Sequence, residues 1–189
     1  MSNVQFREFG KIARLYRDIV ITEKIDGTNA QVYISPDRED IVAGSRTRWI
    51  TPENDNFGFA SWVLYHKKEL LTLGPGHHYG EWWGCGIQRG YGQWQRQFNL
   101  FNTSRWGTTR PACCGVVPVL YEGAFSDREI QQTLAVLMDG GSKIMPGYMN
   151  PEGIVIYHTA SNQYYKVTLE NDELPKGQIF KPKVEYAVL

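Results

Sequence analysis

Lys24 stands in Glu23-Lys24-Ile25-Asp26-Gly27-Thr28-Asn29, and a lysine in such a setting can attack phosphorus with its amine lone pair. Attack needs the neutral amine, so a reference pKa of about 10.4 has to be lowered by burial or by neighbouring cations, a divalent metal included. An apolar strand before Lys24 and a tight Asp26-Gly27 turn after it would hold the amine still, and Gly27 would let backbone approach a phosphate. Lys-x-Asp-Gly is short, however, and a charged surface turn is its competing reading. Other residues invite chemistry less strongly. His77 and His78 are adjacent, and neighbours in a strand point to opposite faces, so neither is taken as a metal ligand. Trp82, Trp83, Trp94 and Trp106 interleave with Arg89, Arg96 and Arg105 as a platform for a single strand would, although core packing is the default for most of these rings. Arg14, Arg17, Lys176, Lys181 and Lys183 are candidates for a strand-binding surface, set against the ordinary reading of solvated terminal charges.

The elements that must position Lys24 are mostly strands. Ile19–Thr22 and Ala30–Ile34 read as strands joined by the tight Gly/Asn turn, and Ile41–Ser45 as a third. From about Phe57 to Leu71 the apolar spacing predicts a helix. Tyr79–Gly84 reads as a strand bounded by glycine, Ile87–Gln95 as a Gly/Arg-rich loop, and Phe98–Phe101 and Gly115–Tyr121 as strands. A helix is predicted over Asp127–Met138, with Ser126 as N-cap and Gly140-Gly141 ending it. Gly153–Tyr157 and Tyr164–Leu169 form an antiparallel pair across Ala160-Ser161-Asn162. The class is α+β.

The chain has 189 residues, which suits one substantial core and a single domain over 1–189. With 20 Lys+Arg against 20 Asp+Glu, no global field draws it to a polyanion, and any such site needs a local basic cluster. Cys85, Cys113 and Cys114 lack zinc-site spacing and read as reduced, buried thiols. No signal peptide or membrane-length apolar run is found, so an intracellular (cytoplasmic) protein is expected, with a virus or phage as a possible source; the sequence leaves the oligomeric state open, and a monomer is assumed.

Glu23–Asn29 resembles motif I of the covalent nucleotidyltransferases, the superfamily of ATP-dependent ligases and capping enzymes, and its Glu-Lys-Ile-x-Gly-Thr-Asn form is most similar to the RNA ligases. The remaining motifs follow in order. Ser45-Arg46 lies where the family keeps an arginine near the ribose. Tyr79-Gly80-Glu81-Trp82 resembles motif III, whose glutamate accepts hydrogen bonds from the ribose. Phe101 resembles motif IIIa, whose aromatic ring stacks on the purine, with Phe98 as the alternative ring because Asn102 stands where an acid is usual. Pro151-Glu152-Gly153-Ile154-Val155-Ile156 is similar to motif IV, and Lys166 to motif V. Motif V usually carries a second lysine, and here Tyr164 and Thr168 occupy the places where it could stand.

The resemblance covers Ile19 to Leu169 and implies a nucleotidyltransferase (ATP-grasp-like) fold of antiparallel sheets with flanking helices. The 23 residues after Lys166 are too few for an appended OB-fold barrel, which favours RNA over DNA ligation. It implies ATP and Mg²⁺ (or Mn²⁺) as cofactors and RNA, possibly DNA, strand ends as partners. Lys24 and Lys166 would be catalytic. Glu23, Lys24, Asp26, Gly27, Asn29, Arg46, Glu81, Phe101, Glu152 and Lys166 would bind the nucleotide, and Glu152, Asp26 and Asn29 the metal. The implied reaction puts AMP on Lys24, passes it to a 5′-phosphate and joins that end to a 3′-hydroxyl. DNA sealing, GTP-dependent capping or a binding module without turnover are the rival readings.

Overall fold

Alternation along Asp18–Lys24 (β1) buries Ile19, Ile21 and Glu23 on one face and leaves Val20, Thr22 and Lys24 half-buried on the other. The structure, a computed structural model, describes residues 4–170 and 172. β1 lies inside a four-stranded sheet ordered β10-β9-β1-β8, made with Val119–Ala124 (β8), Gly153–His158 (β9) and Gln163–Thr168 (β10). All three pairings there are antiparallel. Thr28–Ile34 (β2) belongs to a second, six-stranded sheet, β4-β3-β2-β5-β6-β7, with Ile41–Ser45 (β3), Trp49–Ile50 (β4), Gly76–Gly84 (β5), Arg96–Leu100 (β6) and Cys114–Val116 (β7). Only the β6–β7 pairing in that sheet is parallel.

Each sheet has its own helical cover. Phe59–Tyr65 (α1) and Lys67–Leu70 (α2), with a 3₁₀ turn over Leu71–Leu73, pack on Val32, Ile34, Phe98 and Leu100 of the larger sheet. Asp127–Gly140 (α3) lays Ile130 and Leu137 on Ile19, Ile21, Ile154 and Ile156 of the smaller one. A third cluster, Ile25, Trp83, Tyr91 and Val117 with Phe101, Ile144, Met145 and Tyr148 around it, lies at the joint where the chain passes between the sheets. Burying each large side chain there stabilises by roughly 1.5–3 kcal/mol, and the joint carries the Lys24 turn.

Several sequence expectations change. The Gly27-Thr28 turn is not a hairpin: β1 and β2 are in different sheets, because their apolar faces bury into different cores. The helix expected over Phe57–Leu71 starts two residues later, since Phe57 (φ 50°) and Gly58 (φ 73°) are left-handed, and it breaks at His66 (φ −95°, ψ 15°). The strand expected over Gly115–Tyr121 splits between the two sheets at Val117-Pro118, where proline supplies no N–H for a ladder. Ser126 does precede α3, but its hydroxyl caps no backbone N–H. Cys85 is exposed, not buried, whereas Cys113 is half-buried and Cys114 buried. The β9–β10 hairpin lies where the sequence puts it, with Asn162 at φ 53° in its turn.

Candidate active site

The last residue of β1 points its amine into the joint between the sheets. Lys24 Nζ donates to Glu152 Oε2 at 2.5 Å, and the two side chains are only 22% and 17% exposed. Register explains the meeting: Lys24 pairs with Gly153, so Glu152, just ahead of β9, is delivered to the end of the same strand pair. Lys166 is exposed on β10, in the row Lys166–Val155–Thr22, and alternation puts it on the Lys24 face while Val167 goes to the core. Strand spacing separates the two lysines by about 12 Å between Cα atoms. Neither place open to a second motif V lysine offers a cation. Tyr164 packs on Tyr157, and Thr168 is tied to the Glu170 carbonyl and the Asp172 carboxylate.

The turn after Lys24 is clamped from outside. Asp26 Oδ2 accepts from Arg89 Nε at 3.0 Å, and Asp26 N donates to the Tyr91 hydroxyl at 2.9 Å. Arg89 Nη1 also donates to the Asn150 carbonyl at 3.0 Å, to Asn150 Oδ1 at 2.7 Å and to the Pro151 carbonyl at 3.3 Å, while Nη2 faces Glu170 at 3.7 Å. One guanidinium therefore joins the segment after Lys24, the one before Glu152 and the one after Lys166. Burial pushes the Tyr91 phenol well up, so it stays neutral in this role. Arg89 and Tyr91 come from the Gly/Arg-rich loop, where the sequence offers Arg89 only as part of a single-strand platform and gives Tyr91 no role. The signal available was four glycines in Gly84–Gly92 directly after Glu81-Trp82-Trp83, the mark of a loop passing close to other backbone. Arg89→Ala should slow the nucleotide transfer to Lys24 that the motif resemblance implies about 10- to 100-fold, by loosening both turns. Arg89→Lys should recover little of that loss, because it lacks the fork that spans several acceptors. The labelling rate at saturating ATP checks this.

Gly27 also has a packing requirement of its own. A Cβ there would sit 2.5 Å from the Trp82 carbonyl oxygen and 2.8 Å from Trp83 Cβ, so the missing side chain lets the turn press on β5. That contact brings Glu81 in front of Lys24. Glu81 is 7% exposed and accepts from Asn29 Nδ2 at 2.9 Å across the β2–β5 pair. Burial raises its pKa from 4.5 to about 7, and Glu152 adds to the rise while Asn29 and Lys24 oppose it. A raised folded-state pKa favours folding below about pH 4.5, and that contribution is lost as pH climbs through about 7. Glu81→Gln should accordingly be about 3 kcal/mol more stable than the parent at pH 8 and no more stable at pH 4, read by denaturant unfolding at both pH values.

Other sequence-assigned residues fall as follows. The Glu23 carboxylate turns away from Lys24 and is 1% exposed; it accepts from Ser142 Oγ at 2.5 Å, Lys143 N at 2.7 Å and Ile144 N at 2.9 Å. Its side chain thus holds the loop after α3 and is not free for a nucleotide on the Lys24 face. Arg46 is exposed in the β3–β4 turn, one residue past the Ala30–Ser45 pair and so beside Asn29. Phe101 is half-buried against the joint cluster, whereas Phe98 is fully buried among Phe59, Trp62 and Trp82, which removes it as the alternative stacking ring. Trp82, Trp83 and Trp106 are core residues; of the four interleaved tryptophans only Trp94, 91% exposed, is open. Arg96 and Arg105 are spent on the Phe57, Cys85 and Leu73 carbonyls. His78 is buried on the Gly74 carbonyl and His77 is exposed beside Gln31. Arg14 and Arg17 precede β1 at the end opposite Lys24, about 20 Å away, so they do not flank the site. Lys176, Lys181 and Lys183 lie outside the described residues.

The donors around Lys24 are oxygens: Glu152, Asp26, Glu81 and the amide oxygen of Asn29. Among the described residues no group of three or more His, Cys, Asp or Glu side chains is placed to hold a metal ion. Such a sparse oxygen set fits Mg²⁺ or Mn²⁺, which keep several waters and complete their shell with phosphate oxygens. No helix of the described residues is long and apolar enough to cross a membrane.

The fold has solved counterparts. An alanine variant of Naegleria gruberi RNA ligase with ATP and Mn superposes with a TM-score of 0.60 at 19% identity, over 80% of this chain and 49% of that one. A second variant of the same enzyme, with AMP and Mn, gives 0.60 at 17% identity over 82% and 50%. The enzyme with pyrophosphate gives 0.55 at 18% over 80% and 49%. The chain spans about half the length of these solved relatives, and no curated protein sequence matches it. The RNA ligase family model matches residues 17–175, which takes in both sheets and every residue of the Lys24 joint, and the chain belongs to the RNA ligase family.

Proposed function

We propose that this chain is the nucleotidyltransferase core of an ATP-dependent RNA ligase, with Lys24 as the residue that takes AMP. The observation that carries the reading is the Lys24–Glu152 pair at the joint, with its turn clamped by Arg89 and Tyr91 and with Glu81 packed in front. In the first step the Lys24 lone pair attacks the α-phosphate of ATP. A P–N bond forms, the bond to the bridging oxygen breaks, pyrophosphate leaves with that bond's electron pair, and the proton from the amine passes to the departing pyrophosphate or to water. Glu152 is the resting partner of that amine, so attack requires the amine to leave the ion pair. A divalent ion held by Glu152, with Asp26 and Asn29 beside it, would supply positive charge against the α-phosphate oxygens.

The chain's own groups do the rest. Glu81 and Asn29 offer acceptors to the ribose hydroxyls, and Phe101 borders the joint where a purine would stack. Lys166, on the Lys24 face, offsets charge that builds on the α-phosphate. In the second step an RNA 5′-phosphate oxygen attacks the same phosphorus and Lys24 leaves as the amine. In the third a 3′-hydroxyl attacks the activated 5′-phosphate, AMP departs, and a phosphodiester remains.

The test is to incubate the protein with Mg²⁺ and α-labelled ATP or GTP, denature it, and then offer fresh labelled protein RNA or DNA ends. Label from ATP that survives denaturation, followed by joined RNA, is expected. No label from either nucleotide overturns the reading; label from GTP alone, or joining of DNA alone, replaces it with a capping or DNA-sealing activity.

A further inference from the structure

The outer face of the six-stranded sheet is expected to be polar, because α1 and α2 cover the other face, yet it carries a run of aromatic rings. Tyr79 is two residues before Glu81 on the same face of β5, and His77 two before that. Tyr33 on β2 pairs with His77, and Trp49 on β4 pairs with Gly44, which lies next to Gln31 and so in the row of Tyr79. Gly44 is what admits the Trp49 ring, since a Cβ there would meet that ring at 3.0 Å. The rings touch in sequence. Trp49 and His77 are stacked with centroids 6.0 Å apart, His77 and Tyr79 are stacked at 5.9 Å, and Tyr33 lies 4.8 Å from His77. Half of Trp49 (49%) and of Tyr79 (54%) is open to solvent.

We propose that this stripe is the stacking platform for unpaired bases of the RNA end, which makes single-stranded RNA the substrate; this rests on the ligase reading above. Three observations select that occupant. The stripe is continuous with the candidate site, since Tyr79 lies about 7 Å along β5 from Glu81, the residue facing the ribose. From Glu81 to His77 it runs about 14 Å, room for two or three nucleotides leading away from the reacting phosphate. Its near edge, where a backbone crossing the sheet would pass, carries two exposed cations in the β3–β4 turn, Arg46 and Arg48, the second also donating through Nη1 to the Asn54 carbonyl at 3.2 Å. Exposed rings on alternate positions of a sheet can take the faces of unpaired bases, whereas a duplex keeps those faces stacked inside itself.

Binding of a fluorescently labelled, 5′-phosphorylated, unstructured RNA by anisotropy tests the platform. Trp49→Ala and Tyr79→Ala should each weaken binding about 5- to 100-fold, the range for one lost base stack. Trp49→Phe should keep most of the affinity, and Trp94→Ala, which removes the exposed ring outside the stripe, should change nothing. Labelling of each variant by ATP at the parental rate shows that the fold and the Lys24 joint are intact. Unchanged affinity in Trp49→Ala and Tyr79→Ala overturns the proposal, as does no RNA binding by the parent, tighter binding of a nicked duplex than of the single strand, or a dimer that these variants dissociate. If the parent takes no label from ATP yet its RNA binding still depends on Trp49 and Tyr79, the ligase reading falls and the platform stands.

Discussion

Replacing Lys24 with alanine is expected to lower covalent nucleotide transfer by a factor on the order of 10⁴–10⁶, the scale seen when a nucleophile is deleted from a site that otherwise still binds. Among the described residues no neighbour can substitute. Lys166 is about 12 Å away on another strand, and Arg89 is a guanidinium that does not deprotonate and is already bonded to Asp26 and to the Asn150–Pro151 turn. Lys24→Arg separates chemistry from structure, because arginine can keep an ion pair with Glu152 but has no free amine. It should unfold at the parental denaturant midpoint and take no label. Both variants should still join RNA whose 5′ end already carries AMP, since that last step uses the 3′-hydroxyl as nucleophile and only the surroundings of Lys24. Joining lost together with labelling would show that Lys24 holds the site together and is not simply the attacking group.

Gly153→Ala should be strongly destabilising. Gly153 has φ +150°, a region that side chains rarely enter, and an added Cβ would overlap the Val167 carbonyl oxygen and come 2.8 Å from Thr168 Cα. Backbone strain of about 1–3 kcal/mol and overpacking of about 1–3 kcal/mol add at one position, and the obstacle is β10 backbone, not a movable side chain. An expected cost of about 3–5 kcal/mol is a large part of the stability of a domain this size. Because Gly153 pairs with Lys24 and follows Glu152, any relief must shift the ion pair as well. A denaturant midpoint shifted far downward, with labelling lost even where the variant remains folded, is the expected result. A midpoint within 1 kcal/mol of the parent would contradict the geometry.

Much of this architecture was legible because alternation is a short-range signal. Ile19 and Ile21, Val32 and Ile34, and Ile154 and Ile156 mark their buried faces directly, and the β9–β10 hairpin follows from its turn residues. What alternation cannot say is which core a face enters. Hence the tight turn between Ile19–Thr22 and Ala30–Ile34 does not tell that the two strands enter different sheets, and Gly115–Tyr121 reads as one strand, although Pro118 marks the point where the chain changes sheets. The site divides the same way. Lys24, Glu81, Glu152 and Lys166 can be named from local motifs, and register brings the first three to one joint. Arg89 and Tyr91 act through contacts 63 and 65 residues away in sequence, in a loop whose Gly-rich composition gives no direction to a side chain. Glu23 misleads for a simpler reason: being adjacent to Lys24 in a strand puts it on the opposite face. Phe98 and Phe101 are told apart only by burial.

The claim on which the rest depends is that AMP becomes bonded to the amine of Lys24, and mass spectrometry of the protein after reaction with ATP and Mg²⁺ tests it most directly. The protein is denatured without acid, digested, and its peptides sequenced for the added mass of AMP. The expected result is one modified peptide containing Glu23-Lys24-Ile25-Asp26, with fragment ions placing AMP on Lys24. Adduct on Lys166 or any other residue, or adduct that persists in Lys24→Arg, contradicts it.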